Sequence, residues 1–321
     1  VCLGKTHMTE LAFSGLGLNP MTASPPNVND NGAVSGGSSS GAATSVAFGL
    51  AAAGIGSDTG GSVRAPAAWN DLVGLKTRSG RLSLAGVVPL CARFDTVGPL
   101  CRSAEDAAHL LAAMETGEAG HSPTPARLSD LRLAVLETSA FDNIDASVKS
   151  IFDATLEKLE ITPERITVPA VADAMALAGK LFAPEAYGTW GDVIEANPDA
   201  MYPPVRERFR SGQNTSGAEY VAAWQALDHL RETYARATAH FDAVLLPTVP
   251  ILPPQITDVE ADAALFNERN LLTLQNTRIG NLMGLAGVTL PTGTPSIGVL
   301  LQGPVEERLL SIACAVEKAL A

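Results

Sequence analysis

The sequence predicts an α/β fold: a mixed central β-sheet flanked by helices, with a helical cap or insertion. Strand-like apolar segments alternate with helical segments near both ends of the chain, a pattern typical of this fold class. The segment "DAVLLPTVP" at 242–250 is apolar almost throughout, as expected of a buried, parallel strand. Helical periodicity dominates residues 146–160 and 170–240, in a helical middle of the chain at about 140–240. These helices are therefore expected to cover the sheet.

The elements predicted for the N-terminal part of the chain rest on its small residues, prolines and glycines. Thr9 is a candidate N-cap for a short helix. Residues 17–37 are rich in Pro, Asn and Gly and are predicted to be a loop. The segment 39–54 consists mostly of small residues and predicts a buried, closely packed helix, and "IGSD" at 55–58 predicts a short strand.

The later elements show clearer periodicity. An amphipathic helix is predicted at 104–114 and a strand at 131–137. The tail predicts a strand within "NLMGLAGVTLPTG" and a final helix at 306–320. We predict a single domain over 1–321, in which 116–240 is a variable, mostly helical insertion.

Composition limits the class of protein. Of 321 residues, 46% are hydrophobic and 17% are charged, which is enough for a large core and argues against disorder. The net charge of −12 argues against a nucleic-acid surface. The longest apolar stretch, at 45–56, is too short to span a bilayer. We therefore expect a small-molecule ligand, with neither nucleic acid nor membrane as a direct partner.

Cysteine use and the first residues point to the cytoplasm. The four cysteines (Cys2, Cys91, Cys101, Cys314) form no CxxC pair, which is typical of a reduced chain without structural zinc. No signal peptide opens the sequence. A cytoplasmic protein without a metal or an organic cofactor is the expectation.

Two glycine–serine loops bracket one predicted helix: "SGGSSSG" at 35–41 and "GSDTGGS" at 56–62. Their separation allows both loops to face one site. No lysine follows either glycine run as a P-loop requires, and there is no GxGxxG run with a downstream acid. The GxSxG elbow of α/β-hydrolases is also missing. Phosphate binding by these loops is therefore disfavoured.

A catalytic serine fits the second loop better. Ser62 follows two glycines, so its hydroxyl can be exposed while neighbouring N–H groups converge on an oxyanion. The candidate donors are the backbone N–H groups of Thr59, Gly60, Gly61 and Ser62 itself. The sequence thus predicts a nucleophile and an oxyanion-binding loop within four residues.

Asp58 and Arg64 flank this loop with opposite charge. They could pair and hold the loop rigid. The alternative is an exposed ion pair, which would contribute little to stability.

The block from "GGSSSG" to "GLK", residues 36–76, closely resembles the signature of the amidase signature family. The resemblance rests on the two serine loops, their separation and the run "SDTGGSVRAP". It extends upstream into "LGKTHMTELAFSGLGLNP" and downstream into "RFDTVGPLCRSAEDAAHLL", and it resumes in the C-terminal segments at 241–250 and 270–293. Only the middle of the chain matches no motif.

The resemblance implies a Ser–cis-Ser–Lys triad. Ser62 would be the acyl-ester nucleophile, and Ser38, the first serine of "GGSSS", would be the bridging serine in a cis peptide. Ser62 would attack an amide carbonyl and pass its proton through Ser38 to a neutral lysine. A buried lysine can serve as such a base, because burial disfavours its charged form.

The lysine is where this sequence departs from the family pattern. The family's lysine lies in a run resembling "VKD", tens of residues before the bridging serine, and no such run occurs here. Lys5 and Lys76 stand at other positions of the family pattern and are not assigned as the catalytic base. Three explanations stay open: an N-terminal segment of the family is missing from the chain, the protein is an inactive relative, or another lysine substitutes.

The predicted function is hydrolysis of a carbon–nitrogen bond in a linear amide. One alternative is the glutaminase subunit of a tRNA-dependent amidotransferase, and another is a catalytically inactive, binding-only relative. The sequence permits a homo-oligomer without specifying one. The aromatic pair of "PEAYGTW" at 184–190 either lines the acyl pocket or packs in the core.

Overall fold

A mixed, eight-stranded sheet organises the computed structural model, which describes residues 1–118 and 120–321. In chain order the strands are β1 Gly54–Ser57, β2 Val73–Lys76, β3 Val97–Cys101, β4 Leu133–Leu136, β5 Glu164–Ile166, β6 Ala243–Pro247, β7 Ala286–Pro291 and β8 Gly298–Gly303. Their order across the sheet is β1-β3-β2-β7-β8-β6-β4-β5. The predicted α/β class is confirmed.

Strand direction changes at β6. This strand pairs parallel with β4 and antiparallel with β8, while β4 also pairs parallel with β5. The pairs β1–β3, β2–β3, β2–β7 and β7–β8 are antiparallel. The predicted strand at 242–250 is therefore buried as expected, but it is parallel on one side only.

Helices cover both faces of the sheet. They are α1 Ser40–Ala47, α2 Arg64–Trp69, α3 Ala104–Thr116, α4 Ala146–Lys158, α5 Pro169–Ala196, α6 Pro203–Arg210, α7 Gly217–Thr238, α8 Ile256–Ala261, α9 Ala263–Thr273, α10 Gln275–Leu282 and α11 Glu306–Leu320. Alternation along β6 shows the two layers: Val244 and Leu246 pack in one core, and Ala243 and Leu245 in the other. The first core includes residues of α2, α5, α7 and α10, and the second includes residues of α3, α4 and α11.

The N-terminal segment differs from the prediction in two places. The helix predicted over 39–54 ends at Ala47, because the chain then turns through Gly49 (φ +72°) towards β1. Thr9 precedes only a three-residue 3₁₀ turn, and its side chain makes no capping hydrogen bond. Thr9 thus stands at the predicted N-cap position, but the expected helix is a single turn that its side chain does not cap. Residues 17–37 contain no helix or strand, as predicted.

The stretch 116–240 is mostly helical, but it also supplies β4 and β5 to the central sheet. Ala119, within this stretch, lies outside the described residues. The long helix α5 packs against α6 and α7, and together α5 and α6 form part of the wall of the cavity discussed below. In the two described ranges, no helix is both long and apolar enough to cross a membrane.

Candidate active site

The first glycine–serine loop contains a cis peptide bond between Gly37 and Ser38. Backbone hydrogen bonds hold this loop against an earlier segment: Gly36 N–H donates to Leu16 O at 3.1 Å, and Gly37 N–H donates to Gly15 O at 2.7 Å. The Ser38 hydroxyl is fully buried, and no described residue hydrogen-bonds to its Oγ. The loop thus presents a buried hydroxyl that the protein itself leaves unpaired.

The second loop lies directly against the first. Ser39 N–H donates to Ser62 O at 3.2 Å, which joins the loops through their backbones. Ser62 precedes α2 by two residues and lines a cavity, with 3% of its surface exposed. Its hydroxyl and that of Ser38 are not hydrogen-bonded to each other. In a site without substrate such bonds are often long and shorten only in the reacting complex.

The backbone of 59–62 offers a set of unused donors. The N–H groups of Thr59, Gly60, Gly61 and Ser62 donate to no other group in the described part of the protein. Gly61 adopts φ +141°, and a Cβ at this position would collide with the Thr277 side chain. Only glycine therefore fits there. These donors sit beside the Ser62 hydroxyl, where an oxyanion would form.

Asp58 and Arg64 form a fully buried, bidentate ion pair beneath the loop. Arg64 Nε donates to Asp58 Oδ2 and Nη2 donates to Oδ1, both at 2.9 Å, and neither side chain is exposed. Arg64 also donates to Thr277 O at 2.7 Å and to Asn281 Oδ1 at 2.6 Å, while Asn281 Nδ2 donates back to Asp58 at 2.9 Å. Burial alone would raise the pKa of Asp58, but the Arg64 charge and hydrogen bonds lower it to about 2. The pair is charged and ties the loop to α10.

A second carboxylate supports the other side of the loop. Thr59 Oγ1 donates to Asp95 Oδ1 at 2.6 Å, and the backbone N–H groups of Leu90 and Cys91 donate to the same carboxylate at 2.9–3.1 Å. Burial raises the pKa of Asp95 despite these hydrogen bonds. The run "RFDT", which contains Asp95, thereby fixes the side chain of Thr59.

The loop forms part of the wall of a cavity of about 190 Å³. Thr59, Gly60 and Ser62 lie on one side, and Ala178, Gly179, Phe182 and Ala183 of α5 on another. The remaining lining residues are Ala12, Phe13, Ser14, Leu90, Arg208, Ser211, Leu271, Leu274 and Arg278. Most of the wall is apolar, which suits the carbon skeleton of a small ligand.

Arg208 of α6 and Arg278 of α10 are the two charged side chains of this wall. Arg208 Nε donates to Phe13 O at 2.9 Å, and the guanidinium lies 4.5 Å above the Phe13 ring. Burial, and next the Arg278 charge, lower the pKa of Arg208 to about 9. Burial lowers the pKa of Arg278 to about 10. Neither forms an ion pair with any acid in the described ranges.

Neither of the two lysines weighed in the sequence hydrogen-bonds to the Ser38 hydroxyl. Lys76, at the end of β2, is buried and donates to Thr77 O at 2.7 Å and to Leu285 O at 2.9 Å. Burial and the Arg64 charge lower the pKa of Lys76 to about 7. Lys5 is exposed.

All residues that the sequence singled out in the two loops lie together in the structure. Sequence reasoning missed Asp95, Thr277 and Asn281, which support the loop, and the two arginines of the cavity wall. Asp95 and Asn281 stand in runs that carry the resemblance, "RFDTVGPL" and "TRIGNLMGL", and that was the available signal. Arg278 stands in the same run as Asn281, whereas Arg208 lies in the middle of the chain, which matches no motif.

The aromatic pair at 184–190 does not line the cavity. Trp190 Nε1 donates to Pro89 O at 2.7 Å, and Tyr187 is paired with Glu195 on the surface. Phe182, from the preceding part of α5, lines the cavity instead. Among the described residues, no group of three or more His, Cys, Asp or Glu could hold a metal ion.

Comparison with known proteins places this site in context. The model of the family described as Amidase matches residues 1–310. The chain is 34% identical to 2-amino-5-chloromuconic acid deaminase of Comamonas testosteroni, over 99% of this chain and 71% of that protein. It is 30% identical to a glutamyl-tRNA(Gln) amidotransferase subunit of Chlorobium luteolum, over 93% of this chain and 69% of that protein. The crystal structure of an amidase superposes with a TM-score of 0.85 at 27% identity, over 98% of this chain and 73% of that one.

Proposed function

This chain belongs to the amidase family, and we propose that it hydrolyses a carbon–nitrogen amide bond through an acyl-enzyme on Ser62. The main support for Ser62 as the nucleophile is what surrounds its side chain. Its side chain opens into a cavity and adjoins four backbone N–H groups that no protein acceptor in the described ranges uses. A nucleophile beside free, fixed donors is the arrangement that acyl transfer requires.

The proposed first step is attack of Ser62 Oγ on the amide carbonyl. The developing oxyanion accepts hydrogen bonds from the N–H groups of residues 59–62, and the Asp58–Arg64 pair keeps those groups in position from below. The Ser62 proton passes to Ser38 and on to a base. The protonated base then returns a proton to the leaving nitrogen as the carbon–nitrogen bond breaks. Water hydrolyses the resulting ester and regenerates Ser62.

The base in this scheme is the neutral lysine that the family resemblance implies. Support comes from the Ser38 hydroxyl, which is buried and makes no hydrogen bond with the described residues. Lys76 is a poor candidate, since its amino group is already bonded to two carbonyl oxygens. We therefore propose that the lysine comes from a "VKD"-type run outside the printed sequence.

The substrate is proposed to be a small linear amide, because the cavity is small and mostly apolar. A second candidate is the glutaminase role within a tRNA-dependent amidotransferase, which the similarity to a subunit of such an enzyme favours. That role would require partner chains. A cytoplasmic location and a single domain over 1–321 stay predictions.

Ammonia release from aliphatic primary amides and from glutamine tests the function. The protein, carrying its full natural N-terminus, should release ammonia from at least one amide, and Ser62→Ala should abolish that release. Ser45→Ala is the matched control. Ser45 lies on α1 outside the cavity, and its hydroxyl donates a hydrogen bond to Ala42 O at 2.9 Å. Release by Ser62→Ala at the normal rate would overturn the assignment of Ser62.

A further inference from the structure

Among the described residues, the cavity wall carries two positive charges and no negative one. Arg208 and Arg278 line the same cavity as Ser62, and none of the other described lining residues is an acid. Of the Arg208 nitrogens only Nε is bonded, to Phe13 O, and Arg278 makes no side-chain hydrogen bond with the described residues. Most N–H groups of both guanidiniums are therefore available to a ligand.

This arrangement is costly for the empty protein. Removing a charge from water without a partner is unfavourable, so buried arginines are ordinarily paired with acids. Elsewhere in this chain that is the case: Arg64 is paired with Asp58, and Arg81 with Glu306 and Glu307. The lowered pKa values of Arg208 and Arg278 have the same cause, because burial disfavours the charged form of each guanidinium. An anion that enters the cavity would offset it.

The planar guanidinium matches a carboxylate, which can accept two parallel N–H hydrogen bonds from one arginine. Arg208 extends from α6 and Arg278 from α10, and both side chains line the same cavity. A carboxylate between them would be bound from two sides. The apolar side chains Phe182 and Leu274 would then contact the carbon chain that joins this carboxylate to the scissile amide.

We propose that Arg208 and Arg278 bind a free carboxylate of the substrate, so that the protein hydrolyses the monoamide of a small dicarboxylic acid. This inference rests on the function proposed for Ser62. The overall reaction is monoamide plus water to dicarboxylate plus ammonium: the carbon–nitrogen bond breaks, and water supplies the new carboxylate oxygen. A cavity of about 190 Å³ is below the ~300–1,000 Å³ typical of sites for drug-sized ligands, which favours an acyl group of few carbons and ammonia as the leaving group.

The first test compares charged and neutral amides of equal length. Ammonia release from succinamate and glutaramate is measured against butanamide and pentanamide, in the protein with its full natural N-terminus. Hydrogen bonds to a charged group from two arginines predict a preference in kcat/KM of about 100-fold or more for a charged member. Equal kcat/KM values for charged and neutral amides would overturn the inference and leave the assignment of Ser62 intact.

The second test assigns that preference to the arginines. Arg278→Gln and Arg208→Gln should each lower kcat/KM for the preferred monoamide by about 10–100-fold, mainly through KM, and Arg278→Lys should restore part of the loss. Arg269→Gln is the control, because Arg269 lies one helix earlier, is 35% exposed and is outside the cavity. Thermal unfolding of each variant shows whether the fold is retained. An unchanged KM in both glutamine variants would contradict the proposal.

A third measurement does not depend on turnover. Calorimetric titration with succinate and glutarate should show binding that weakens with salt and is lost in Arg278→Gln. If Ser62 proves unreactive while this binding is present, the proposed function fails and the carboxylate site stands. Absence of binding by either diacid, together with no preference for charged amides, would overturn the carboxylate site.

Discussion

The backbone N–H of Ser39 donates to the carbonyl of Ser62 at 3.2 Å. This hydrogen bond joins the two glycine–serine loops just before their helices. Ser39 directly precedes α1, which starts at Ser40, and Ser62 lies two residues before α2, which starts at Arg64. The backbones that carry Ser38 and Ser62 are thereby held next to each other. Both loops must keep this relation for a proton to pass between them.

Substitution of Ser38, the proposed bridging serine, should slow the reaction without unfolding the protein. Ser38→Ala is expected to lower kcat by about 10²–10⁴-fold, the range attributed to proton transfer by a positioned group. Its stability should change little, since the Ser38 hydroxyl makes no hydrogen bond with the described residues. Steady-state ammonia release and urea unfolding measure the two effects.

Ser35→Ala is the matched control for this variant. Ser35 lies in the same loop, is buried and has an equally unpaired hydroxyl among the described residues. It should retain normal kcat. If both variants lose activity to the same degree, the loss reflects the loop and not proton transfer through Ser38.

Adjacent glycines of the second loop should respond differently to alanine. A Cβ at Gly61 would collide with the Thr277 side chain and would need φ +141°, whereas a Cβ at Gly60 meets no atom within 4 Å. Gly61→Ala is expected to destabilise the fold by about 1–3 kcal/mol or more, and Gly60→Ala by less than about 1 kcal/mol. Chemical denaturation of the two variants checks this, and equal losses would contradict the described loop geometry.

The Asp58–Arg64 pair should dominate the stability of the site. Asp58→Asn leaves Arg64 as an unpaired buried charge, and such losses cost about 3–5 kcal/mol. Urea unfolding near pH 7 measures this difference. A loss below about 1 kcal/mol would show that the pair is not buried as described.

The same pair makes stability depend on pH in the acid range. The pKa of Asp58 is about 2 in the folded protein, against 3.8 ordinarily. Because the unfolded chain binds this proton first as pH falls, the contribution of Asp58 is fully present above about pH 4 and is lost as pH falls towards about 2. Unfolding free energies across this window should fall less steeply for Asp58→Asn than for the unaltered protein. Parallel curves would contradict the assigned charge of Asp58.

Removal of an unpaired cation from the cavity should stabilise the ligand-free protein. Arg278→Met replaces a part-buried guanidinium that makes no ion pair in the described ranges with an apolar side chain of similar length. We expect the melting temperature to stay equal or to rise by a few degrees, because the cost of desolvating the charge disappears. A clear decrease would show that Arg278 contributes to packing.

The sequence predicted the parts of the site that are local in the chain. Asp58 and Arg64 are six residues apart, and the proposed oxyanion donors are four consecutive residues, so their closeness in the sequence was enough to predict that they lie together. The partners contributed by α10 were not predictable in this way. Asn281 bonds Arg64 across 217 residues, and only the fold creates that contact.

The same limit applies to the fold. Long, periodic helices such as α3 and α11 were predicted close to their observed ends, because an amphipathic face extends over several turns. The strand β5 has only three residues, two of them exposed, so it carries no apolar signal and was not predicted within the stretch 116–240, which was expected to be mostly helical. Arg208 and Arg278 occur in ordinary helical segments, and only the packing of α6 and α10 directs them into one cavity.

Peptide mapping after reaction with a fluorophosphonate tests the central claim most directly, because this probe bonds covalently to an activated serine and needs no knowledge of the substrate. In the protein with its full natural N-terminus, we predict one adduct, on the peptide that contains Ser62, and no adduct in Ser62→Ala. An adduct on another residue, or none at all, would contradict the assignment of Ser62 as the nucleophile.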